Sequence, residues 1–321
     1  MNNALTAQKQ KFSVAITTEG YKNLINNTLG DPERSKRFVT AITSAVAVNP
    51  ALQECTPGSI LAGALLGESL NLSPSPQLGQ YYLVPFKVSL KDSNGKTIWV
   101  TDEQGNKVKD KNGKWIPVTE SKAQFVPGYK GYIQLAIRSG QYKDIDAMEI
   151  REGEYLGKSA DTGKPLFRFI EDDDERDSRP VVGYMAFFEY INGFKKVLYW
   201  TKQKMMNHAD YYSSAFSAQA YMKIQKGEVP QEDMWKYSSF WYKDFDGMAK
   251  KTMLRQLISK WGIMSIEMQQ AYVSDSKLIQ MNENGFVEED IPEIPDVPEQ
   301  PEAPEQPEQT APVQSVNLND L

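Results

Sequence analysis

The chain has 321 residues and one cysteine, Cys55, which excludes an internal disulfide framework and favours a reducing, cytoplasmic compartment. Ten of the 42 acidic residues lie in residues 286–321, which contain no Lys or Arg. Residues 1–285 therefore carry 36 basic against 32 acidic residues, a net charge of +4, although the whole chain has −6. A mildly basic body with an acidic tail suits a nucleic-acid binder. It equally suits a soluble enzyme with a solvating tail. No apolar run is long enough for a membrane span, and we expect no signal peptide.

The first part of the chain predicts a helical lobe. Apolar residues recur at helical spacing over 18–29 and 34–48. Thr56-Pro57 is typical of a helix start, and the helix predicted over 59–70 is rich in small residues that permit close packing. We interpret this lobe as scaffold.

Residues 80–86 are aromatic and β-branched and predict a strand. Residues 87–120 then contain Gly-Asn or Asn-Gly turns between short strands, which predicts β-hairpins. This segment has seven lysines and five acids. We interpret it as a protruding insertion, for which contact with DNA and a merely solubilising role remain equally open.

Residues 122–154 predict a strand, a glycine-flanked turn, one helix and a returning strand. Ile133, Ala136, Ile137 and Gly140 share the predicted apolar face of the helix, whereas Lys130, Gln134 and Arg138 form a polar stripe. Gly128 and Gly131 stand beside Tyr129 and Tyr132 in the first turn. Helix N-termini bind phosphates, and glycines permit close approach. An ordinary solvated helix explains this stretch alone at least as well.

The sequence after residue 152 gives little support for a nucleotide-binding or metal-binding site. Residues 153–159 have three rather than four residues between their glycines, so they do not form a nucleotide-binding P-loop. Residues 171–177 hold six acids and predict an acidic loop, which is more often solvated than bound to Mg²⁺. His208 is the only histidine and cannot build a zinc site with one cysteine.

The C-terminal half predicts a hairpin and a long helix. Asn192-Gly193 joins two apolar runs, 181–191 and 194–200, and Thr201 then caps a helix that contains Lys202. In the helix predicted over 245–261, Lys250 falls within the apolar stripe. An ammonium there must reach solvent or meet an anion.

We therefore predict an α+β fold, with a twisted antiparallel sheet from residues 80–200, packed helices and a helical N-terminal lobe. The predicted divisions are an N-terminal helical extension at 1–33, a core at 34–285 with the insertion at 87–120, and a disordered acidic Pro/Glu/Gln tail at 286–321.

Four motifs, taken in order, resemble the RecT family of phage and prophage single-strand annealing proteins. They are Tyr-Tyr-Leu-Val-Pro-Phe at 81–86, Phe-Val-Pro-Gly-Tyr-Lys-Gly-Tyr at 125–132 with its continuation to 141, Ile-Arg-Glu-Gly-Glu at 150–154, and Met-Ala-Lys-Lys-Thr-Met-Leu-Arg at 248–255. The resemblance covers about residues 34–275. The insertion is longer than the family leads us to expect, and the tail lies outside the resemblance.

This resemblance implies an ATP-independent recombinase without enzymatic activity, working in the cytoplasm of a bacterial host. Such proteins bind single-stranded DNA, anneal complementary strands and assemble into rings or helical filaments. The expected partners are a phage 5′→3′ exonuclease and the host single-strand-binding protein. No cofactor is expected, and Mg²⁺ would serve only as a counter-ion.

A site of this kind needs cations for phosphates and aromatic rings for bases. The predicted phosphate contacts are Lys130, Arg138, Lys250, Lys251 and Arg255. The predicted base or sugar contacts are Tyr129 and Tyr132, and Lys122 and Lys202 are further candidates. Two other classes stay open: a metal-dependent nuclease using residues 171–177, and a structural phage protein that assembles through its helical lobe.

Overall fold

The structure, a computed structural model, describes residues 11–110, 113–213, 215–275, 277–282 and 285–290. Helices and antiparallel strands alternate along this part of the chain, which confirms the α+β class. The described residues belong to one unit, Met1–Ile291. Within them, no helix is both long and apolar enough to cross a lipid bilayer.

The N-terminal lobe is helical, as predicted. Its helices are α1 (Phe12–Ala15), α2 (Glu19–Leu29), α3 (Pro32–Ala47), α4 (Pro50–Gln53) and α5 (Pro57–Ser69). Asp31 begins α3 by accepting hydrogen bonds from the Glu33 and Arg34 amides, because its carboxylate satisfies amides that have no partner inside the helix. Residues 58–67 of α5 are all buried, so this helix is covered on every side.

Helix α5 packs on a two-stranded hairpin formed by β1 (Tyr81–Ser89) and β2 (Thr119–Pro127). Small residues make this contact possible. A Cβ atom on Gly67 would lie 2.4 Å from the Tyr81 ring, and one on Gly63 would lie 2.7 Å from Leu83. Tyr81 is 1% exposed and packs on the Phe125 ring at 4.9 Å between centroids, so its ring has no space to move aside.

The segment between β1 and β2, residues 90–118, is hereafter called the arm. Its predicted turns are present at Gly95, Gly105 and Gly113, each with a positive φ angle. The hairpins close into two rings of backbone hydrogen bonds. Leu90 N donates to Val118 O, Val118 N to Ile98 O, and Ile98 N to Leu90 O. Val100, Ile116 and Val108 repeat the same cycle one layer further along.

After β2 the chain forms the second part of the unit. In order, its elements are α6 (Tyr129–Arg138), β3 (Tyr142–Arg151), β4 (Tyr155–Lys158), β5 (Pro165–Phe167), α7 (Asp173–Ser178), β6 (Val181–Tyr190), β7 (Lys195–Thr201), α8 (Lys202–Tyr212), α9 (Ala218–Gln225), the 3₁₀ helix Gln231–Lys236, α10 (Phe240–Lys243), α11 (Phe245–Trp261), α12 (Ile266–Ser274), β8 (Lys277–Asn282) and β9 (Gly285–Asp290). The predicted Asn192-Gly193 hairpin joins β6 to β7, and Thr201 caps α8 as expected.

Strands β3, β6 and β7 form one antiparallel sheet in the order β3-β6-β7, and α11 lies across it. Tyrosines fasten both ends of α11 to this sheet. Tyr184 donates to Asp246 at 2.5 Å, near the start of the helix, and Tyr190 donates to Trp261 O at 2.7 Å, at its end. Burial and the hydrogen bond to Asp246 both raise the pKa of Tyr184 above its ordinary value, so this hydroxyl keeps the proton that it donates.

Three features differ from the sequence expectations. The described strands of residues 80–200 fall into separate sheets, β1-β2, β3-β6-β7 and β4-β5, rather than one. The acidic segment predicted as a loop contains helix α7, because Asp172 caps it by accepting from the Glu175 amide. All of strand β9 except Gly285 falls in 286–321, the segment predicted to be disordered; residues 291–321 lie outside the described residues.

The close contact of α5 with β1 gives a first prediction. Gly67→Ala will lower the free energy of unfolding by about 1–3 kcal/mol, because the added methyl overpacks the site of Tyr81. Thermal or denaturant unfolding measures this change.

Gly20→Ala is the matched control, because Gly20 is also helical and a Cβ atom there meets nothing within 4 Å. Its stability should be unchanged or slightly higher. Equal losses of unfolding free energy in the two variants would show that close packing against Tyr81 is not the reason for glycine at position 67.

Candidate nucleic-acid interface

The glycines at the start of α6 serve the packing of backbone on backbone. The Gly128 amide donates to Gln80 O at 2.9 Å. A Cβ atom would lie 2.2 Å from Gly79 O if placed on Gly128, and 2.1 Å from Gln80 O if placed on Gly131. The protein's own carbonyls therefore occupy the space beside both glycines. This corrects the expectation that these glycines admit a phosphate.

Aromatic rings and lysines gather at this end of α6. Tyr82 of β1 lies 5.2 Å from Phe240 of α10 between ring centroids. The Tyr129 ring has the Lys250 ammonium at 5.0 Å and the Lys130 ammonium at 6.0 Å from its centroid. We call these five residues the α6 cluster. It combines π-faces with cations, which are the two features that a single-stranded nucleic acid requires.

Tyr82 and Phe240 are members of this cluster that the sequence reasoning missed. Burial is the largest cause of the raised pKa of Tyr82, and the charges of Asp244 and Tyr129 add to it. A Cβ atom on Gly79 would lie 3.1 Å from the Tyr82 hydroxyl and 3.5 Å from Lys130 Cδ, so Tyr82 and Lys130 lie around the same glycine. Strand alternation offered a signal, since Tyr81 and Leu83 point into the core and Tyr82 must face the other way.

The polar stripe predicted on α6 is present. Lys130, Gln134 and Arg138 are all exposed. The Arg138 guanidinium donates to Gln134 O at 3.2 Å and to Asn71 O at 3.1 Å. Because these acceptors are carbonyl oxygens, they hold the side chain in place without neutralising its charge.

The buried face of α6 differs from the predicted one. Gly131, Tyr132, Leu135 and Ala136 are buried, whereas Ile137 is 55% exposed. Tyr132 is 1% exposed, and burial raises its pKa well above the ordinary value. It therefore presents no surface to a base or sugar, which corrects that prediction.

Lys250 meets an anion, which is one of the two outcomes that its position in the apolar stripe allowed. Its ammonium lies 3.1 Å from Glu149 Oε1, and its side chain is 18% exposed. Burial lowers the pKa of Lys250, but the hydrogen bond and charge of Glu149 outweigh this effect and the net pKa is raised. Lys250 is charged but already paired, so a phosphate would have to compete with Glu149.

Lys251 and Arg255 share one carboxylate. Asp275 follows α12 and receives Lys251 Nζ at 2.7 Å and Arg255 NH1 at 2.6 Å, one on each oxygen. Gln124 of β2 donates to the Asp275 carbonyl at 2.9 Å. The Lys251 and Asp275 side chains are 10% and 3% exposed. Burial is the largest cause of the lowered pKa of Lys251.

This arrangement corrects the prediction that Lys251 contacts a phosphate, because its ammonium lies inside the protein. Arg255 is 28% exposed along its side chain and also lies 4.5 Å from the Tyr272 ring centroid. It keeps an exposed edge, but its charge is shared with Asp275.

The two further candidates lie elsewhere. Lys122 is 4% exposed and pairs with Glu120 at 3.2 Å. It is buried because four consecutive residues of β2 are buried and α5, β8 and α12 all pack against this strand. A phosphate therefore does not reach it. Lys202 is half-buried in the first turn of α8.

Three carboxylates of the acidic segment, Asp172, Glu175 and Asp177, contact other groups of the protein. Asp172 caps α7, and Glu175 pairs with Arg179 at 2.8 Å. Arg176 points inward to the buried Glu154 at 2.6 Å. Burial opposes ionisation of Glu154, but its hydrogen bonds with Arg176 and two backbone amides keep its pKa below the ordinary value. Across the part of the chain that the structure describes, no group of three or more His, Cys, Asp or Glu side chains is arranged to hold a metal ion.

Comparison with known proteins identifies the family. The sequence model of the RecT family matches residues 36–291, which is most of the chain. The chain therefore belongs to the RecT family, and the resemblance drawn from its motifs is confirmed.

Two relatives lie at different distances. The uncharacterized protein YqaK of Bacillus subtilis (strain 168) is 34% identical over 247 residues, which cover 76% of this chain and 66% of YqaK. Protein RecT of Escherichia coli (strain K12) is 26% identical over 243 residues, which cover 76% of this chain and 72% of that protein. The chain thus spans just under two thirds of the length of YqaK.

The shared carboxylate gives a second prediction. Asp275→Ala will lower the free energy of unfolding by about 3–5 kcal/mol, because it leaves Lys251 and Arg255 without their counter-charge. Chemical denaturation followed by circular dichroism measures this loss.

Asp233→Ala is the control, because Asp233 pairs with Lys236 at a similar distance of 2.6 Å, with both side chains largely exposed. Its loss should stay below about 1 kcal/mol. If Asp275→Ala cost no more than this control, the buried network would not be a stabilising element.

Proposed function

We propose that this protein binds single-stranded DNA and anneals complementary strands without ATP. The observation that carries the proposal is the exposed stripe of Lys130 and Arg138 beside the α6 cluster, in a chain that belongs to the RecT family. Cations and aromatic rings together hold a strand by its phosphates and by its bases.

The contacts divide by chemistry. Lys130 and Arg138 take phosphates, because both side chains are exposed and the hydrogen bonds of Arg138 go to carbonyl oxygens. Lys250 and Arg255 are also cations, but Glu149 and Asp275 partly neutralise their charges. Tyr129 and Phe240 offer ring faces, which stack on any base and therefore impose no sequence preference. Watson–Crick pairing with the second strand supplies the specificity.

The length of the stripe sets the size of the site. Lys130 and Arg138 are eight residues apart on α6, which is about 12 Å at 1.5 Å per residue. A strand with the spacing of duplex DNA, about 3.4 Å per nucleotide, places only three or four phosphates along that distance, and a more extended single strand places fewer. One subunit therefore holds a few nucleotides, and annealing of longer strands calls for many subunits side by side. We propose oligomeric rings or filaments for this reason.

The wider setting follows from the same proposal. The protein would act in phage homologous recombination in the cytoplasm of a bacterial host, beside a phage 5′→3′ exonuclease and the host single-strand-binding protein. The exonuclease supplies single strands, which are the substrate of annealing. The reaction forms base pairs and no covalent bond, so it calls for no cofactor, and Mg²⁺ would act only as a counter-ion to phosphate.

The α6 stripe gives a third prediction. Lys130→Ala combined with Arg138→Ala will weaken binding to a fixed-length oligothymidine. It will also reduce the slope of log K against log salt by about 1.4, because each phosphate contact on a single strand contributes about 0.7. Fluorescence anisotropy over a salt series measures both quantities.

Lys22→Ala combined with Lys36→Ala removes the same charge from exposed positions on α2 and α3 and is the control. Its slope should match the unmodified protein. Equal salt slopes for both double variants and the unmodified protein would show that Lys130 and Arg138 of α6 do not contact the phosphates. The pair Lys251 and Arg255 is unsuitable for this test, since its loss also disturbs the core.

A further inference from the structure

The arm contains two hydrogen-bonded rings of three residues each. The ring residues are Leu90, Ile98, Val100, Val108, Ile116 and Val118. Five of these apolar side chains are half-buried, and Ile98 is 40% exposed. The tryptophans and lysines of the arm are not members of either ring.

Two tryptophans lie on segments of the arm that pair with each other. Trp99 pairs with Pro117 in an antiparallel bridge, and Trp115 precedes Pro117 by two residues and pairs with Lys109. Trp115 is 43% exposed and Trp99 is half-buried. The hydrogen-bonded rings do not use either indole.

A lysine lies over each indole. The Lys109 ammonium is 4.5 Å from the Trp115 ring centroid, and the Lys107 ammonium is 5.5 Å from that of Trp99. Both lysines are exposed and come from the same segment of the arm. The arm therefore contains the same kind of pair twice, an indole ring with a lysine ammonium over it.

The aspartates of the arm accept hydrogen bonds from backbone amides of the turns. Asp92 and Asp102 each accept two backbone amides of their own turn, at 2.8–3.0 Å, and Asp110 accepts the Lys114 amide at 2.9 Å. These carboxylates are held at the ends of the hairpins. They leave the lysines over the tryptophans to interact with an external anion.

We propose that the arm is a second contact for single-stranded nucleic acid, in which bases stack on Trp99 and Trp115 while Lys107 and Lys109 take the flanking phosphates. The inference rests on the proposed function and adds a site to it. Stacking of a base on an indole is stronger than an exposed cation–π pair, so replacing the lysine by a base on each indole is favourable.

This site is separate from the α6 cluster. Tyr82 lies near the start of β1, and the arm begins after Ser89, seven residues further on. At about 3.3 Å per residue, β1 alone separates Tyr82 from the start of the arm by about 23 Å. A DNA strand that is bound at α6 therefore leaves the arm free to bind a different stretch of nucleic acid.

The test compares the unmodified protein with the double variant Trp99→Ala/Trp115→Ala. This variant keeps all six residues of the two hydrogen-bonded rings. The probes are an oligothymidine and a strand of the same length and charge whose central nucleotides are abasic. The unmodified protein should bind the oligothymidine more tightly. The double variant should lose at least about fivefold of that preference, since one stacked base contributes about 1 kcal/mol or more.

Trp235→Ala is the matched control, because Trp235 is 75% exposed and carries the Lys236 ammonium at 5.8 Å, but lies in the 3₁₀ helix rather than in the arm. It should keep the preference. An equal loss in Trp235→Ala would mean that any exposed tryptophan has this effect, and the assignment to the arm would be overturned.

A second measurement locates the contact directly. An oligonucleotide carrying 5-iodouracil is cross-linked by light to the unmodified protein, and the modified peptide is identified by mass spectrometry. Cross-links at Trp99 or Trp115 are expected. The probe is also bound to a variant in which Asn-Gly replaces residues 90–118, since Ser89 already faces Thr119 across the hairpin and a two-residue turn closes such a pair.

The outcomes separate the two proposals. If the unmodified protein binds neither probe, the proposed function fails and the arm site fails with it. If it binds, but the cross-links fall only outside the arm and Trp99→Ala/Trp115→Ala keeps its base preference, the arm proposal alone is overturned. The arm would then be a surface for another protein or for solvent. Circular dichroism of each variant verifies that it is folded.

Discussion

The buried carboxylate of Asp275 is the interaction on which the described structure most depends. It joins Lys251 and Arg255 of α11 to the end of α12, and its backbone carbonyl receives Gln124 of β2. A buried charge is costly unless it is paired and hydrogen-bonded, so these elements must meet in this geometry. The constraint brings together residues that are 20 to 151 positions apart in the sequence.

The position of α11 then determines where the candidate interface lies. Tyr184 and Tyr190 fix the two ends of α11 to the sheet, and α6 packs against both α11 and β3. The polar stripe of α6 is turned outward as a result. Lys250 of α11 reaches Tyr129 of α6 from the same side, so the cluster at the start of α6 is a consequence of how the two helices pack.

Basic residues of this protein fall into two groups with different physical roles. Lys251 and Lys122 are buried beside carboxylates and contribute to the core. Lys130 and Arg138 are exposed, and the described contacts of Arg138 are with carbonyl oxygens. The exposed group can exchange water and counter-ions for phosphates, which is the source of salt-dependent binding. A net charge alone cannot separate these groups.

Local chemistry explains what could be predicted from the sequence. The hairpin at Asn192-Gly193 depends on residues adjacent in the chain. The small residues that permit close packing of α5 lie within one helix, although the residues they pack against come from β1 and β2. The place of Lys250 in an apolar stripe predicted that it reaches solvent or meets an anion, but not which of the two. The burial of Lys251, Tyr132 and Lys122 did not follow, because periodicity describes one element and not what covers it. Likewise, the turns of the arm were visible in the sequence, but its closure into rings depends on pairing between segments.

Annealing of complementary strands is the activity proposed for this protein. It can be tested by mixing two complementary oligonucleotides with the purified protein in the absence of ATP and following duplex formation by dye quenching. We expect annealing faster than the spontaneous rate, with an acceleration that weakens as salt rises. No acceleration, together with no binding to single strands or to complements added in sequence, would contradict it.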